Sequence, residues 1–323
     1  MSPDRTPEHP TTTGPAPGQA TAPAHGRTAT AERGQDVIHN IGYRGYEGPR
    51  LGRSYARRAL FTQSLRGSYG LGRSAKSKVL PMLLFATICV PAAILVAVAA
   101  LTKAKELQVG YAEYVLLMQP LLGIYLAAAA PQAISMDLRF KTTPLYFSRP
   151  MERSDYVAAK YAALSAALFL FTAVPVLIMY VGALLVKLDF SDQTKGAAQG
   201  IVFCALFALL HAAIAAWIAA LTPRRGFGVA AIIVAITVPY FLVTALQGIA
   251  LTSDNSSAIG WLGLGSPGTL LDGIQSRFLD GRSGFPDAQT LTGSQGAVYL
   301  AVFVALVACF YALLLRRYRK AGL

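Results

Sequence analysis

The stretch SMDLRFKTTPLYFSRPMERSDYVAAK, residues 135–160, gathers more chemically versatile side chains than any other part of this sequence. Asp137, Arg149, Arg153, Tyr156 and Lys160 supply a carboxylate, two guanidiniums, a phenol and an ammonium, and Leu138, Phe140, Leu145, Tyr146, Phe147 and Pro150 are interspersed among them. Large apolar residues set beside charges suit docking to a protein or to a membrane surface. They do not form the pair of positioned acid and base groups that proton-transfer catalysis requires. Two helices can be joined by a handful of residues, so a segment this long does more than connect. Ser154 or Asp155 is placed to cap a helix that begins near its end.

Other signals for chemistry are weak or absent. The sequence has no GxxxxGK[ST], so an ATP-hydrolysing Walker A site is not expected in this chain. It also lacks HExxH and GxSxG. GLGSPG at 263–268 satisfies GxGxxG, but a dinucleotide site needs a strand before it and a βαβ unit around it. Asn255-Ser256-Ser257 forms a glycosylation sequon that matters only in a secretory eukaryotic setting. Cys89, Cys204 and Cys309 stand apart in apolar stretches with no zinc-ligand spacing and read as small core hydrophobes. No catalytic, cofactor-binding or metal-ligating set is expected. His211 is the one intramembrane polar candidate, since a titratable residue at membrane depth is costly. A neutral histidine bonded to a neighbouring helix is the simpler reading.

The elements that must position these residues are apolar. The chain has 323 residues, 54% of them hydrophobic and 14% charged, where soluble domains average about 25% charged. Six stretches, 79–101, 114–134, 161–186, 197–221, 226–251 and 297–315, contain no Asp, Glu, Lys or Arg. Each reaches the roughly 20 residues a helix needs to cross the hydrocarbon core, and none alternates as a barrel strand would. The expected fold is all-α, a polytopic membrane protein with six transmembrane helices. Pro91, Pro120, Pro131, Pro175 and Pro239 are expected to kink these helices. With both termini cytoplasmic, the inner segments hold 23 Lys and Arg and the outer segments hold 6, the asymmetry of the positive-inside rule. Arg224 and Arg225 then anchor the tight turn between spans four and five on the inner face.

Before the spans, residues 1–35 are rich in Thr, Ala, Pro and Gly and read as a disordered cytoplasmic tail. Residues 36–78 interleave arginines with aromatics and read as a basic cytoplasmic region carrying an interfacial entry helix. Leu51, Tyr55, Ala59, Leu65 and Tyr69 share its apolar face, with Leu60 pointing the other way. Basic and aromatic interleaving also occurs in nucleic-acid binders, but beside a membrane span it is better explained by anionic lipid, so no nucleic-acid partner is expected. Between spans five and six, SPGTLLDGIQSRFLDG at 266–281 aligns Leu270, Leu271, Ile274 and Phe278 on one face, which predicts a short helix resting on or dipping into the outer leaflet. Residues 316–323 form a basic cytoplasmic tail.

Within 135–160 the order Asp137, an amphipathic stretch Leu145–Ser148, the step Arg149-Pro150, then Arg153, Tyr156 and Lys160 resembles the first cytoplasmic loop of the permease subunits of ATP-binding cassette exporters of the type 2 class. The Gly-Thr usual before the amphipathic stretch is replaced by Lys141-Thr142-Thr143-Pro144. The basic entry helix and the long outer segment extend the resemblance over about residues 36–323. It implies a transporter subunit without its own ATPase site, in the cell inner (cytoplasmic) membrane of a bacterium, with ATP and Mg bound on a partner. Asp137, Leu145, Arg149, Pro150, Arg153, Tyr156 and Lys160 would then contact a cassette-type ATPase subunit. A second permease copy or a paralogue would complete a dimer in lipid. An ion-coupled secondary transporter and a non-catalytic membrane assembly protein are the alternatives; the former calls for buried carboxylates or paired broken helices at the midplane.

Overall fold

The computed structural model describes residues 48, 51–142, 145–146, 151–222, 225–253 and 255–320. Arg50–Leu323 forms one compact unit. The expected tail 1–35, and Arg149 and Pro150 of the loop motif, therefore lie outside the described residues.

All regular structure among the described residues is helical. In chain order the α-helices are α1 Arg53–Ser68, α2 Ala75–Thr102, α3 Tyr111–Leu117, α4 Gln119–Ala130, α5 Met136–Arg139, α6 Arg153–Leu185, α7 Phe190–Leu221, α8 Arg225–Thr252, α9 Ser256–Leu262, α10 Pro267–Phe278 and α11 Gly293–Lys320. Six helical runs are long and apolar enough to span a membrane: α2, the continuous stretch Gln119–Arg139, α6, α7, α8 and α11. At 1.5 Å per residue the 28 residues of α2 reach about 42 Å, more than a hydrocarbon core of about 30 Å demands. The surplus carries the polar ends.

Spans two, three and four form the centre and bury half or more of their most apolar window, whereas spans one, five and six bury less than a quarter. The composition explains the split. Small residues cluster at Ala127–Ala130 in α4 and at Ala212–Ala216 in α7, and small side chains let helix backbones approach. The outer spans instead present Val90, Ile94, Phe241, Ile249 and Val304 outward, side chains suited to lipid. Cys204 is buried as expected, but Cys309 faces outward on α11. Gly182 of α6 meets Val96 of α2 so closely that an added Cβ would lie 2.5 Å from Val96 Cγ1.

The helix ends are closed by identifiable groups. Lys103 and Lys187 take left-handed backbone conformations after α2 and α6, with φ of 53° and 61°. The following amides, Ala104 N and Leu188 N, bond back to Ala99 O and Ala183 O at 3.1 Å each. Glycine is the usual residue at such a position. Lysine offers a cation to the negative end of the helix dipole and a long stem that reaches the interface. The last carbonyls of α7 are met from two other spans: Ser135 Oγ donates to Ala219 O, and Arg317 Nε donates to Ala220 O at 3.3 Å. Pro91, Pro175 and Pro239 lie inside helices, Pro120 sits in the first turn of α4, and Pro131 opens a π-helical turn over Pro131–Ser135. A proline supplies no N–H to the ladder, which fits a widened turn at that point.

Two predicted elements form with different faces buried. The helix α1 is present, but Leu60, expected to point away, is buried with Ser64 and Ser68, while Leu51 and Tyr55 are exposed. Its orientation is set by packing on α6. Tyr69, at its end, donates to Ala167 O at 2.7 Å and stacks with Phe171, whose ring lies 4.0 Å from Tyr125. The helix α10 also forms, yet it does not lie on a surface: Gly268–Ser276 are all buried, polar face included, against α3, α7, α8 and α11. Leu270, Leu271 and Ile274 are in the core, and Phe278 is exposed. An added Cβ on Gly273 would stand 2.4 Å from Tyr299 Cε1, so glycine is what admits that ring. Asp272 on the buried polar face accepts from Gly284 N and Gln275 Nε2, and burial pushes its carboxyl up to about 6.

Candidate functional site

The described residues of the 135–160 segment lie on the same side of the bundle as α1 and the end of α11, which they touch through Asp155 and Arg153. Its first arm is α5, its last is the first turn of α6, and both are braced. Asp137 of α5 pairs with Lys160 of α6 at 2.8 Å, with side-chain exposures of 17% and 9%. Tyr156 Oη donates to the same Asp137 oxygen, and Thr142 Oγ1 approaches the other at 3.4 Å. Desolvating a carboxylate and an ammonium is costly, and pairing with further hydrogen bonds is how such a cluster is tolerated.

The cluster extends to the C-terminal end of the last span. Tyr156 is fully buried with its ring 5.1 Å from Tyr318 of α11 and 5.3 Å from Tyr146 of the segment itself. Arg153 Nη1 donates to Arg319 O at 3.1 Å.

The second brace comes from α1. Arg53 forms ion pairs with Glu152 and Asp155, and Arg57 Nη1 lies 3.8 Å from Asp155 Oδ1. Those carboxylates hold the Arg53 guanidinium above its ordinary pKa. The first turn of α1 has no acidic residue, so Arg53 and Arg57 sit at the positive end of its dipole. Glu152 and Asp155 supply the missing negative charge and at the same time cap α6, where Asp155 Oδ2 accepts from Glu152 N at 3.4 Å. The N-cap of α6 is thus Glu152, and Asp155, one of the two expected capping residues, bonds back to it from the third helical position, whereas Ser154 does not cap.

Between these braces the segment turns large side chains outward: Phe140 is 62% exposed and Leu145 is 69% exposed. The motif residues therefore divide. Asp137, Tyr156 and Lys160 face inward and meet each other, Leu145 faces outward, and Arg153 reaches α11. Sequence reasoning missed Arg53, Arg57, Glu152 and Tyr318. A signal was available for the first three, because Arg53 and Arg57 stand one turn apart and so do Glu152 and Asp155, with opposite charge.

His211 lies elsewhere, in the core of α7. It stacks on Phe207 with centroids 3.9 Å apart and its Nδ1 is 3.0 Å from Phe207 O, so its bond is to its own helix and not to a neighbour. Among the described residues no group of three His, Cys, Asp or Glu is placed to hold a metal ion.

Residues 110–323, from the start of α3 to the C-terminus, match the model of the family described as ABC-2 family transporter protein. The chain belongs to the ABC-2 transporter family. No curated protein matches it. It is a multi-pass membrane component of an ABC transporter, a permease subunit. The matched part contains the 135–160 segment and five of the six spans. It leaves out α1, so the Arg53 and Arg57 brace joins a family element to one contributed from outside the matched region.

Proposed function

We propose that this ABC-2 permease works as an exporter in the bacterial cytoplasmic membrane, powered by a separate cassette ATPase that docks on the 135–160 segment with help from α1. The observation that carries the reading is the segment's construction: exposed Phe140 and Leu145 held between two ion-paired braces that lead into spans two and three. Force applied at the outward residues would reach those spans through Asp137–Lys160 and Arg53–Asp155, and span six through the Tyr156–Tyr318 and Arg153–Arg319 contacts. ATP with Mg would be bound and hydrolysed on the partner. The charge asymmetry supports a cytoplasmic position for this face and both termini. The outward apolar faces of spans one, five and six leave room for a second permease, identical or paralogous, with substrate passing between the two bundles. Export is the direction that family analogy supports.

The test is purification in mild detergent from the native host followed by identification of what accompanies the chain. A cassette ATPase at one copy per permease supports the reading. Recovery of the permease alone, from cells in which that ATPase is expressed, refutes it.

A further inference from the structure

On the same side of the bundle, α1 and the end of span two enclose a groove of about 830 Å³. Arg58 and Arg66 line it from α1, Arg73 from the turn after α1, and Gln132 and Met136 from span two. We propose that this groove holds the phosphate-bearing headgroup of an anionic lipid from the adjoining leaflet.

Three observations point there. First, the charge is uncompensated: none of the ion pairs among the described residues involves Arg58, Arg66 or Arg73. Among the described residues Arg73 donates to the neutral Gln132, at 3.2 Å. The carboxylate on the wall, Asp137, is already taken by Lys160 and Tyr156. Second, neutral polar residues, Thr62 and Gln63 of α1, line the groove beside the arginines and can add hydrogen bonds to an anion's oxygens. Third, the wall is amphiphilic, with Leu71, Ala133 and Met136 beside the guanidiniums, at the end of a membrane span where lipid phosphates lie. Arginine is the side chain best shaped to grip a phosphate, through paired N–H donors. Its apolar stem can follow an acyl chain. The volume is of the size that ligand sites use.

The proposal is tested on the full chain, purified and reconstituted into phosphatidylcholine nanodiscs with graded phosphatidylglycerol, reading retained lipid by native mass spectrometry after partial delipidation. Phosphatidylglycerol should be retained over phosphatidylcholine. Each of Arg58→Gln, Arg66→Gln and Arg73→Gln should weaken retention about fivefold, from about 1 kcal/mol per basic residue at an anionic surface. The triple variant should lose on the order of 100-fold, and raising salt should weaken the wild type more than the triple variant. If the triple variant does not purify as a monodisperse species, the single variants carry the test. Equal retention of both lipids, or retention unchanged by all three substitutions, overturns the site. Displacement of the lipid by millimolar glycerol 3-phosphate identifies a soluble phosphate ester as the ligand and overturns the membrane source. An acidic protein segment that crosslinks to Arg66→Cys in preference to lipid overturns it as well.

Discussion

Replacing Lys160 with Met is the sharpest perturbation of the brace between spans two and three. The 2.8 Å contact to Asp137 corresponds to about 6 kcal/mol of gross Coulomb attraction at an effective dielectric of about 20. Most of that offsets desolvation of two side chains left 9% and 17% exposed. The net effect of losing one partner comes from the charge left behind, about 3 kcal/mol for a pair this buried. Asp137→Asn should cost a similar amount by stranding the Lys160 ammonium. In the double variant neither charge remains and Asn still accepts from Tyr156, so the loss should fall to about 1 kcal/mol. The two substitutions should therefore be strongly non-additive, by at least about 2 kcal/mol in a double-mutant cycle. Unfolding of the detergent-solubilised permease, followed by loss of helical signal, measures all four corners. If the single costs simply add to the double cost within about 0.5 kcal/mol, the brace is not an energetic unit and the reasoning fails.

Three further outcomes are expected. Arg53→Ala should loosen α1 from α6 only modestly, since the guanidinium is half exposed and solvent screens its ion pairs, and hydrogen exchange should speed up along Arg53–Ser68 but not in α7. Asp272 has its folded pKa raised from 3.8 to about 6, so its protonated form suits the fold and its stabilising contribution is full below about pH 4 and lost as pH rises through 6. The melting temperature should decline across that window, and Asp272→Asn should flatten the dependence. Gly182→Ala should cost about 1–3 kcal/mol by driving a methyl into Val96, and Val96→Ala in the same chain should recover much of the loss in a thermal melt.

Much of the fold was written in the distribution of charge. Six uncharged runs leave a helix as the one economical way to satisfy backbone groups in lipid, and six membrane-length helices appear, the second starting at Gln119 because residues 114–117 belong to the separate α3. Their ends were less legible. Lys76, Lys78, Arg153 and Arg317 continue the helices beyond the apolar windows, because long basic side chains reach the interface without ending the helix. The faces of α1 and α10 were misjudged for a common reason. Periodicity assumes that a helix buries its apolar side, but α1 buries Ser64 and Ser68, and α10 buries Asp272 and Gln275 inside the bundle. Tertiary packing with local hydrogen bonds overrode the pattern there. At the candidate site, the motif pointed to the right segment and not to the division of labour within it. Nothing in the order Asp137, Tyr156, Lys160 reveals that the three meet, because the contact depends on α5 folding back beside the first turns of α6.

The most direct measurement of the docking claim is a photo-crosslinking amino acid placed at Leu145, which is exposed between the braces, with Leu300, exposed on α11, as the comparison position. In cells of the native host an adduct to a cassette ATPase subunit is expected from position 145 and none from position 300. An adduct profile that is the same at both positions, or one at 145 that contains no ATPase, would contradict it.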